Sequence, residues 1–438
     1  MLKRPLLLCS SLLALSACQP SPQTTQQPQE QQTSPLPRLE DQVFYQQSVD
    51  VFPYLPADLS EPYIDCPLTV QASSEQYQSA AQTDYATPGW EQRIAADWQF
   101  FGNDSQNGRL LVIDHRLTEN GLSYRYLANG SSQNELYEPW SSSKVMAFTG
   151  AVSRARQSGV GANSLAGDVP IADLITSIHT YFPFGMADGN SNAIASYFIN
   201  VSGRDYLTSL FHDAWLKLSN PNIFMRGAYG SVLFDPGSDT WQDRSTKESV
   251  SMPRLTDNQR DPGYLPYRCD NCGLTGNKPM TTLAQAEWLK RLASHIAEPT
   301  TRHPGLEEED IRTLFYGVGH SDVTHQYGGM LMGISNLLAD AIAKQIDGPG
   351  DSRTKLNQIS DGKWRIFQKL GSGPSETRKR AEMVMLAQVC LPDYQGGRAF
   401  TLAAQAGVDG DEEWQVNQAA MKLQALLDSS MATLLARP

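Results

Sequence analysis

After its first residues, the sequence contains no apolar run long enough to cross a bilayer, which takes about 20 residues of helix. The most apolar internal segment, 329–343, is interrupted by Asn336 and Asp340. We expect this segment to form a buried or half-buried helix. The pattern is that of a chain without an internal membrane-spanning helix.

Positive charge is also scarce. The 438 residues include 35 Lys and Arg against 47 Asp and Glu, a formal net charge of -12. Nowhere are basic residues clustered with aromatic ones, as they are on surfaces that bind nucleic acid. The charge balance therefore argues against a nucleic-acid partner and against a polybasic contact with an anionic membrane.

Cysteine is rare, and four cysteines remain beyond the first 18 residues: Cys66, Cys269, Cys272 and Cys390. Cys269-Asp270-Asn271-Cys272 has the composition of a turn, and an exported protein can keep disulfides. We expect a local disulfide between Cys269 and Cys272, and a bridge between Cys66 and Cys390 is a further candidate.

A zinc site is the alternative for the close cysteine pair. The spacing of Cys269 and Cys272 suits a metal, and His320 and His325 are a second pair of ligand types. The two pairs are far apart in the sequence, so the disulfide is preferred, with no metal and no organic cofactor.

The first residues read as a targeting signal rather than as structure. Two basic residues precede the short apolar run 6–15, and Leu15-Ser16-Ala17-Cys18 resembles a bacterial lipobox. We expect a signal peptide over 1–17, lipidation of Cys18, and attachment to the periplasmic face of a bacterial cell envelope. Gln19 favours the outer membrane by resemblance to Gram-negative lipoproteins. An ordinary secretory signal with an unmodified Cys18 is the alternative.

Composition divides the remaining chain. Residues rich in Gln, Pro, Ser and Thr follow Cys18, and we expect a disordered tether over 18–60. An α/β lobe is expected from 61–140 and 300–438, which are the two ends of the mature chain. A helical lobe over 141–299 is inserted between them and contains a long irregular loop, 220–280.

Periodicity and turn residues predict the individual elements. The first lobe should begin with a helix over 90–101, followed by strands 110–113 and 122–127 joined through the turn signal Asn120-Gly121. Helices are expected in the inserted lobe over 142–157, 193–201, 205–218 and 282–296. Three strands and a final amphipathic helix should close the chain, over 364–370, 381–391, 398–406 and 412–435.

The first chemical signal is Ser141-Ser142-Ser143-Lys144 at the start of a helix. Residues three apart share a helix face, so Lys144 can point at the Ser141 hydroxyl. A serine nucleophile needs an adjacent base, and a buried lysine can lose its proton and act as one. Taken alone the motif is common, and Ser141 as a plain helix cap is the simpler interpretation.

The order of motifs resembles that of the serine β-lactamase and penicillin-binding-protein superfamily, in particular class A β-lactamases. A hairpin precedes Ser141, and Lys369-Leu370-Gly371-Ser372 follows much later on a strand, where it resembles the family's Lys-Thr-Gly box. The resemblance implies that Lys369 and Ser372 hold a substrate carboxylate and that Gly371 lets substrate lie along the strand. Leu370 replaces the usual threonine. A strand ending in a glycine-rich turn is the alternative.

A third motif, Asn190-Ser191-Asn192, resembles the family's Ser-Asp-Asn box. In this register Asn192 orients the substrate and the lysine, while Asn190 stands where a serine hydroxyl is expected. An amide relays protons poorly, so this change should slow turnover. The alternative register begins at Ser191 but puts Ala193 in place of the asparagine.

The loop that carries the deacylating glutamate in class A β-lactamases has no clear counterpart here. Glu248 is the only glutamate between 215 and 281, and Met252 stands four residues later instead of asparagine. We therefore expect slow release of an acyl group.

The resemblance as a whole implies an α/β fold with an antiparallel sheet flanked by helices and an inserted helical lobe. It implies a serine hydrolase or acyltransferase that forms an acyl-enzyme on Ser141 with β-lactams or with D-alanyl peptides of peptidoglycan. The alternative is a non-catalytic envelope protein with a degenerate site, used for binding or scaffolding.

Overall fold

A computed structural model describes residues 37–49, 51, 55–252, 260–269 and 273–436. Seven strands of the described residues form the main sheet: β1 (Gln78–Ser79), β2 (Ala96–Asp97), β3 (Arg109–Thr118), β4 (Gly121–Ala128), β11 (Arg365–Ser375), β12 (Arg380–Leu391) and β13 (Arg398–Asp409). Six of them follow the order β1-β4-β3-β13-β12-β11 and pair antiparallel. The seventh, β2, pairs parallel with β4. Early and late segments of the described chain therefore build one sheet.

Smaller strands and eleven helices within the described residues complete the architecture. The short strands are β5 (Ser164–Ala166), β6 (Val169–Pro170), β7 (Thr240–Asp243), β8 (Ser249–Ser251), β9 (Arg268–Cys269) and β10 (Leu274–Thr275). The helices are α1 (Leu39–Ser48), α2 (Ala80–Thr83), α3 (Lys144–Arg156), α4 (Ile171–Thr180), α5 (Ser191–Ser202), α6 (Arg204–Ser209), α7 (Thr282–Ala293), α8 (Glu308–Tyr316), α9 (Leu337–Ala343), α10 (Ser352–Ser360) and α11 (Gln415–Leu435).

Helices cover both faces of the sheet, which explains why its central strands are buried almost continuously. Successive side chains of a strand point to opposite faces. Val384 accordingly packs into the cluster that contains α7, and Met385 packs into the cluster that contains α9 and α11. The predicted antiparallel sheet flanked by helices is confirmed.

Several element boundaries differ from the sequence-based expectation. The helix expected over 90–101 is wrong, because only Trp90–Gln92 form a turn of 3₁₀ helix and Ala96–Asp97 form a strand beside β4. The helix expected over 205–218 ends at Ser209. The segment 329–343 divides into a 3₁₀ turn, Gly329–Met332, and α9.

The assignment of elements to lobes also needs correction. The expected tether 18–60 contains α1, which packs against α11, so that part of the expectation is wrong. Helix α7, expected in the helical lobe, lies on the sheet, and α8, expected in the α/β lobe, packs against α3 and α4. The loop 220–280 contains regular strands, because β7 pairs with both β5 and β8.

A disulfide joins Cys66 to Cys390, with their Cα atoms 5.4 Å apart. It ties the segment before the first strands to the end of β12 and confirms the second candidate bridge. The signal peptide, Cys18 and Cys272 lie outside the described residues, so lipidation and the Cys269–Cys272 bridge stay predictions. No helix in the described part of the chain is both long and apolar enough to cross a membrane.

Candidate active site

Ser141 lies in a turn of 3₁₀ helix, Trp140–Ser143, that leads directly into α3. The residue before it, Trp140, has a left-handed backbone with φ of 49°. This conformation is strained for a bulky residue, and strained backbone conformations are found more often at functional sites than elsewhere. Two contacts hold Trp140 in place: its indole donates to Glu382 over 3.1 Å, and Gly373 packs directly on its ring. The fold thus forces Ser141 into a sharp turn at a helix N-terminus.

Lys144 is fully buried one helical turn beyond Ser141. Its Nζ donates to Ser191 Oγ over 2.8 Å and to Asn192 Oδ1 over 2.6 Å. Burial lowers the pKa of Lys144 well below its usual value, and the charge of Lys278 lowers it further. A lysine with a lowered pKa gives up its proton more readily than a free lysine, and the resulting amine can accept one.

In the Asn190-Ser191-Asn192 segment, the second and third residues contact Lys144, and the first does not serve it as expected. Asn190 caps α5 by accepting from the Ala193 N–H over 3.0 Å, so it serves the helix rather than the lysine. Ser191 supplies the hydroxyl beside Lys144 and donates onward to the carbonyl of Ile178. The expectation that no hydroxyl remains here is wrong, whereas the expected contact between Asn192 and Lys144 is present.

Strand β11 brings the remaining motif to the same place. A Cβ added to Gly371 would stand 2.6 Å from the backbone nitrogens of Ser141 and Ser142, so only glycine lets the strand approach this closely. Ser372 lines the cavity in front of Ser141. The structure therefore brings Gly371 and Ser372 close to Ser141.

Lys369 occupies a different environment from the one expected. It is buried, and its Nζ donates to the Tyr181 hydroxyl and to the carbonyl of Leu370. Burial and the nearby Lys144 lower the pKa of Lys369 well below its usual value. This environment favours the neutral amine, which does not suit the expected role of a fixed positive charge for a carboxylate.

Tyr181 is a site residue that sequence reasoning missed. It follows α4 with a left-handed backbone, φ 60°, and this conformation turns the chain into the cavity. Its hydroxyl donates to the Leu370 carbonyl over 2.8 Å and accepts from Lys369. Burial raises the pKa of Tyr181, while a hydrogen bond with the Ser141 side chain opposes the rise. Tyr181 thus links Ser141 to Lys369.

Among its described residues, the long loop places an aromatic residue, Tyr229, beside Lys144. Tyr229 shares a hydrogen bond of 2.8 Å with the Ser143 hydroxyl, and its ring centroid lies 5.3 Å from Lys144 Nζ. Glu248 is exposed, and its carboxylate approaches Gly159, beyond the far end of α3. Since α3 has 13 residues, that end lies about 20 Å from Lys144.

These groups open onto a cavity of about 440 Å³, within the usual range for small-molecule sites. Polar groups of Ser141, Asn192 and Ser372 line one part of it. Tyr45 and Val49, from the N-terminal segment, line another part, although they lie almost a hundred residues before Ser141.

The two histidines of the alternative zinc site do not line the cavity. His320 and His325 both pack against the ring of Phe184, with centroid separations of 5.2 and 5.4 Å. Among the residues that the structure describes, no group of three or more His, Cys, Asp or Glu side chains is arranged to hold a metal ion.

Comparison with known proteins gives similarity in structure alone. No family model matches the sequence, and no curated protein matches it. A β-lactamase from Xanthomonas campestris is 12% identical, with 75% of this chain and 92% of that one covered and a TM-score of 0.39. A β-lactamase from Burkholderia ambifaria is 13% identical, with 77% of this chain and 98% of that one covered and a TM-score of 0.37. A protein named PBP-A is 11% identical, with 75% of this chain and 89% of that one covered and a TM-score of 0.37. What Ser141 can do must therefore be inferred from the side chains around it.

Proposed function

We propose that this protein is a serine hydrolase or acyltransferase that forms an acyl-enzyme on Ser141. The observation that carries the proposal is the pair of buried lysines behind the strained nucleophile turn. Lys144 and Lys369 both have a pKa well below that of a free lysine, and Tyr181 joins Lys369 to the Ser141 hydroxyl. Uncharged amines held beside a serine can act as proton acceptors, which a structural lysine on a surface cannot.

In the proposed reaction, Ser141 Oγ attacks the carbonyl carbon of an ester or amide, and its proton passes to the neutral Lys144. The tetrahedral intermediate then collapses, the bond to the leaving group breaks, and Tyr181 supplies a proton to the leaving oxygen or nitrogen. Lys369 donates a hydrogen bond to the Tyr181 oxygen and stabilises the phenolate. The proton that Lys144 took from Ser141 then returns to Tyr181, so that both groups regain their starting protonation. The structure shows no direct hydrogen bond between Ser141 and Lys144, and such contacts often tighten only when substrate binds.

Backbone N–H groups are available for the developing oxyanion. The Leu370 carbonyl accepts from Tyr181, so it points away from β12. Residues two apart on an antiparallel strand direct their N–H and C=O groups to the same side, and Ser372 therefore points its N–H out of the sheet edge. Together with the N–H of Ser141, which Gly371 allows to lie close by, it can bind an oxyanion.

Slow deacylation is part of the proposal. Glu248 lies too far from Ser141 to activate a water molecule, and Tyr229 occupies the side of Lys144 that faces the long loop. None of the described residues that line the cavity carries a carboxylate. Without a positioned carboxylate base, hydrolysis loses about 10² to 10⁴ in rate. The acyl-enzyme should therefore live long enough to be observed by intact-protein mass spectrometry.

The test uses a fluorophosphonate probe that carries no carboxylate. Wild-type protein and Ser142→Ala should be labelled, since the Ser142 hydroxyl is engaged by Pro139 and Gln285 and does not line the cavity. Ser141→Ala should remain unlabelled. Equal labelling of Ser141→Ala, or no labelling of folded wild-type protein, would support the non-catalytic alternative instead.

Labelled penicillin and a D-alanyl peptide test the acyl donors that the sequence resemblance suggested. The expected adduct lies on Ser141 and is lost in Ser141→Ala. A chromogenic cephalosporin should be turned over slowly. Rapid turnover that is lost in Glu248→Gln would contradict the assignment of Glu248 to a remote surface.

We also propose that the protein is a bacterial envelope lipoprotein anchored through Cys18. The support is the lipobox-like sequence at the end of the first apolar run. Mass spectrometry of the mature N-terminus should find an acylated Cys18, and Cys18→Ser should release the protein from the membrane fraction. An unmodified Cys18 would reject the anchor.

A further inference from the structure

We infer that the active site selects uncharged acyl donors with an apolar group, such as short-chain neutral esters, over donors that carry a carboxylate. This inference rests on the proposed acyl transfer through Ser141. It departs from the sequence-based expectation, because β-lactams and D-alanyl peptides both bear a carboxylate.

The first argument is the absence of charge in the cavity. None of the described residues that line it is Asp, Glu, Lys or Arg. Lys144 and Lys369 lie behind the lining, with their pKa values lowered by burial, and the donors of Lys369 are used by Tyr181 and Leu370. A substrate carboxylate would lose its hydration here without gaining a cation, which is strongly unfavourable.

The second argument is the apolar wall beyond the reacting groups. Leu370 and Met383 come from neighbouring strands, and Met383 pairs directly with Ser372. Val49 packs into the same buried cluster, and Ile334 closes the cavity from the segment before α9. Leu370 stands where the Lys-Thr-Gly box, which this segment resembles, has a threonine hydroxyl. The surroundings of Leu370 are apolar as well.

The third argument is that the wall is built from three separate parts of the chain. The N-terminal segment supplies Val49, the segment 333–336 supplies Ile334, and the strands β11 and β12 supply Leu370 and Met383. Gly333 is packed onto Gln368, whose amide donates to the carbonyl of Ser335, so this segment is fixed to the edge of β11. The apolar surface is therefore a constructed part of the site, and it suits an alkyl or aryl group of a substrate.

Paired esters test the inference. 4-Nitrophenyl butyrate and the 4-nitrophenyl monoester of succinic acid differ mainly by a terminal carboxylate on the acyl side. Phenyl acetate and 3-carboxyphenyl acetate provide the same comparison on the leaving group. We expect kcat/KM for the neutral member of at least one pair to exceed that of its charged partner by about 100-fold or more, after subtraction of the rate with Ser141→Ala.

Two variants locate the effect. Ile334→Lys puts an amine at a half-buried position of the cavity wall, where the ammonium can stay hydrated and charged. It should reduce the preference by about tenfold or more, chiefly by accelerating the charged ester. Leu370→Thr is a milder change that should move the preference in the same direction. Thermal unfolding and phosphonate labelling of Ser141 identify variants that remain folded and reactive.

The outcomes separate the two proposals. If the phosphonate labels Ser141 but charged and neutral esters react equally, or penicillin acylates the protein faster than any neutral ester, the inference is wrong and the proposed function stands. If neither phosphonate nor esters react at Ser141, the proposed function fails and the inference fails with it.

Discussion

Removal of the Tyr181 hydroxyl should separate the catalytic role of this residue from its packing. In Tyr181→Phe the ring still fills the edge of the cavity, but the links to Ser141, Lys369 and the Leu370 carbonyl are lost. If Tyr181 supplies the proton to the leaving group, the loss should amount to about 10² to 10⁴ in rate. This corresponds to about 3 to 5 kcal/mol of transition-state stabilisation, at 1.36 kcal/mol for each factor of ten.

The same change costs some stability. The Leu370 carbonyl keeps its hydrogen bond from Lys369, so the unsatisfied group is mainly the Lys369 amine. Loss of a buried partner typically costs about 1 to 3 kcal/mol. Tyr327→Phe is a matched control, because that hydroxyl also donates to a backbone carbonyl, Leu59, over 2.6 Å, away from the cavity.

The assay measures the rate of acylation by two esters, one with a 4-nitrophenolate leaving group and one with an alkoxide. A poor leaving group needs the proton more, so Tyr181→Phe should slow the alkyl ester to a greater extent. Tyr327→Phe should lose stability with little change in either rate. If Tyr181→Phe stays within about threefold of wild type for both esters, or if both variants lose rate equally, the proton-transfer role is refuted.

Other variants test the base, the strand contact and the disulfide. Lys278→Met removes a positive charge that lowers the pKa of Lys144, so the pKa of Lys144 should rise and the acid limb of the labelling rate should move to higher pH. An unchanged profile would assign the base elsewhere. Gly371→Ala should reduce labelling by at least about 100-fold, since its Cβ would displace the strand from Ser141 N; labelling at the normal rate would reject the shared oxyanion site. Replacing Cys66 and Cys390 with serine should lower the free energy of unfolding in urea by about 2 to 5 kcal/mol, whereas no change would show that the bridge is not formed.

The regular parts of the fold could be predicted because local patterns and tertiary packing agree there. Asn120-Gly121 lies at the hairpin between β3 and β4, the three last strands carry apolar residues throughout, and α11 has a clear apolar face. The helix expected over 90–101 failed because its apolar residues serve different partners. Ile94 and Trp98 pack against one core cluster and Phe101 against the other, which a single helix face does not allow.

Only part of the candidate site could be predicted from the sequence, because some of its residues come together only through tertiary structure. Ser141 and Lys144 are three residues apart, so the sequence was enough to place Lys144 about one helical turn beyond Ser141. Tyr181 reaches the site through one left-handed residue at the end of α4, and the backbone conformation of a tyrosine has no sequence signature. Val49 meets Leu370 only in the folded protein, from more than three hundred residues away.

The most direct test of the account is peptide mapping of the folded protein after reaction with a fluorophosphonate. We predict one adduct, on Ser141, which is absent in Ser141→Ala and much reduced in Lys144→Ala, because the hydroxyl then lacks its base. An adduct on another serine such as Ser191, or undiminished labelling of Ser141→Ala, would contradict the assignment of Ser141 as the nucleophile.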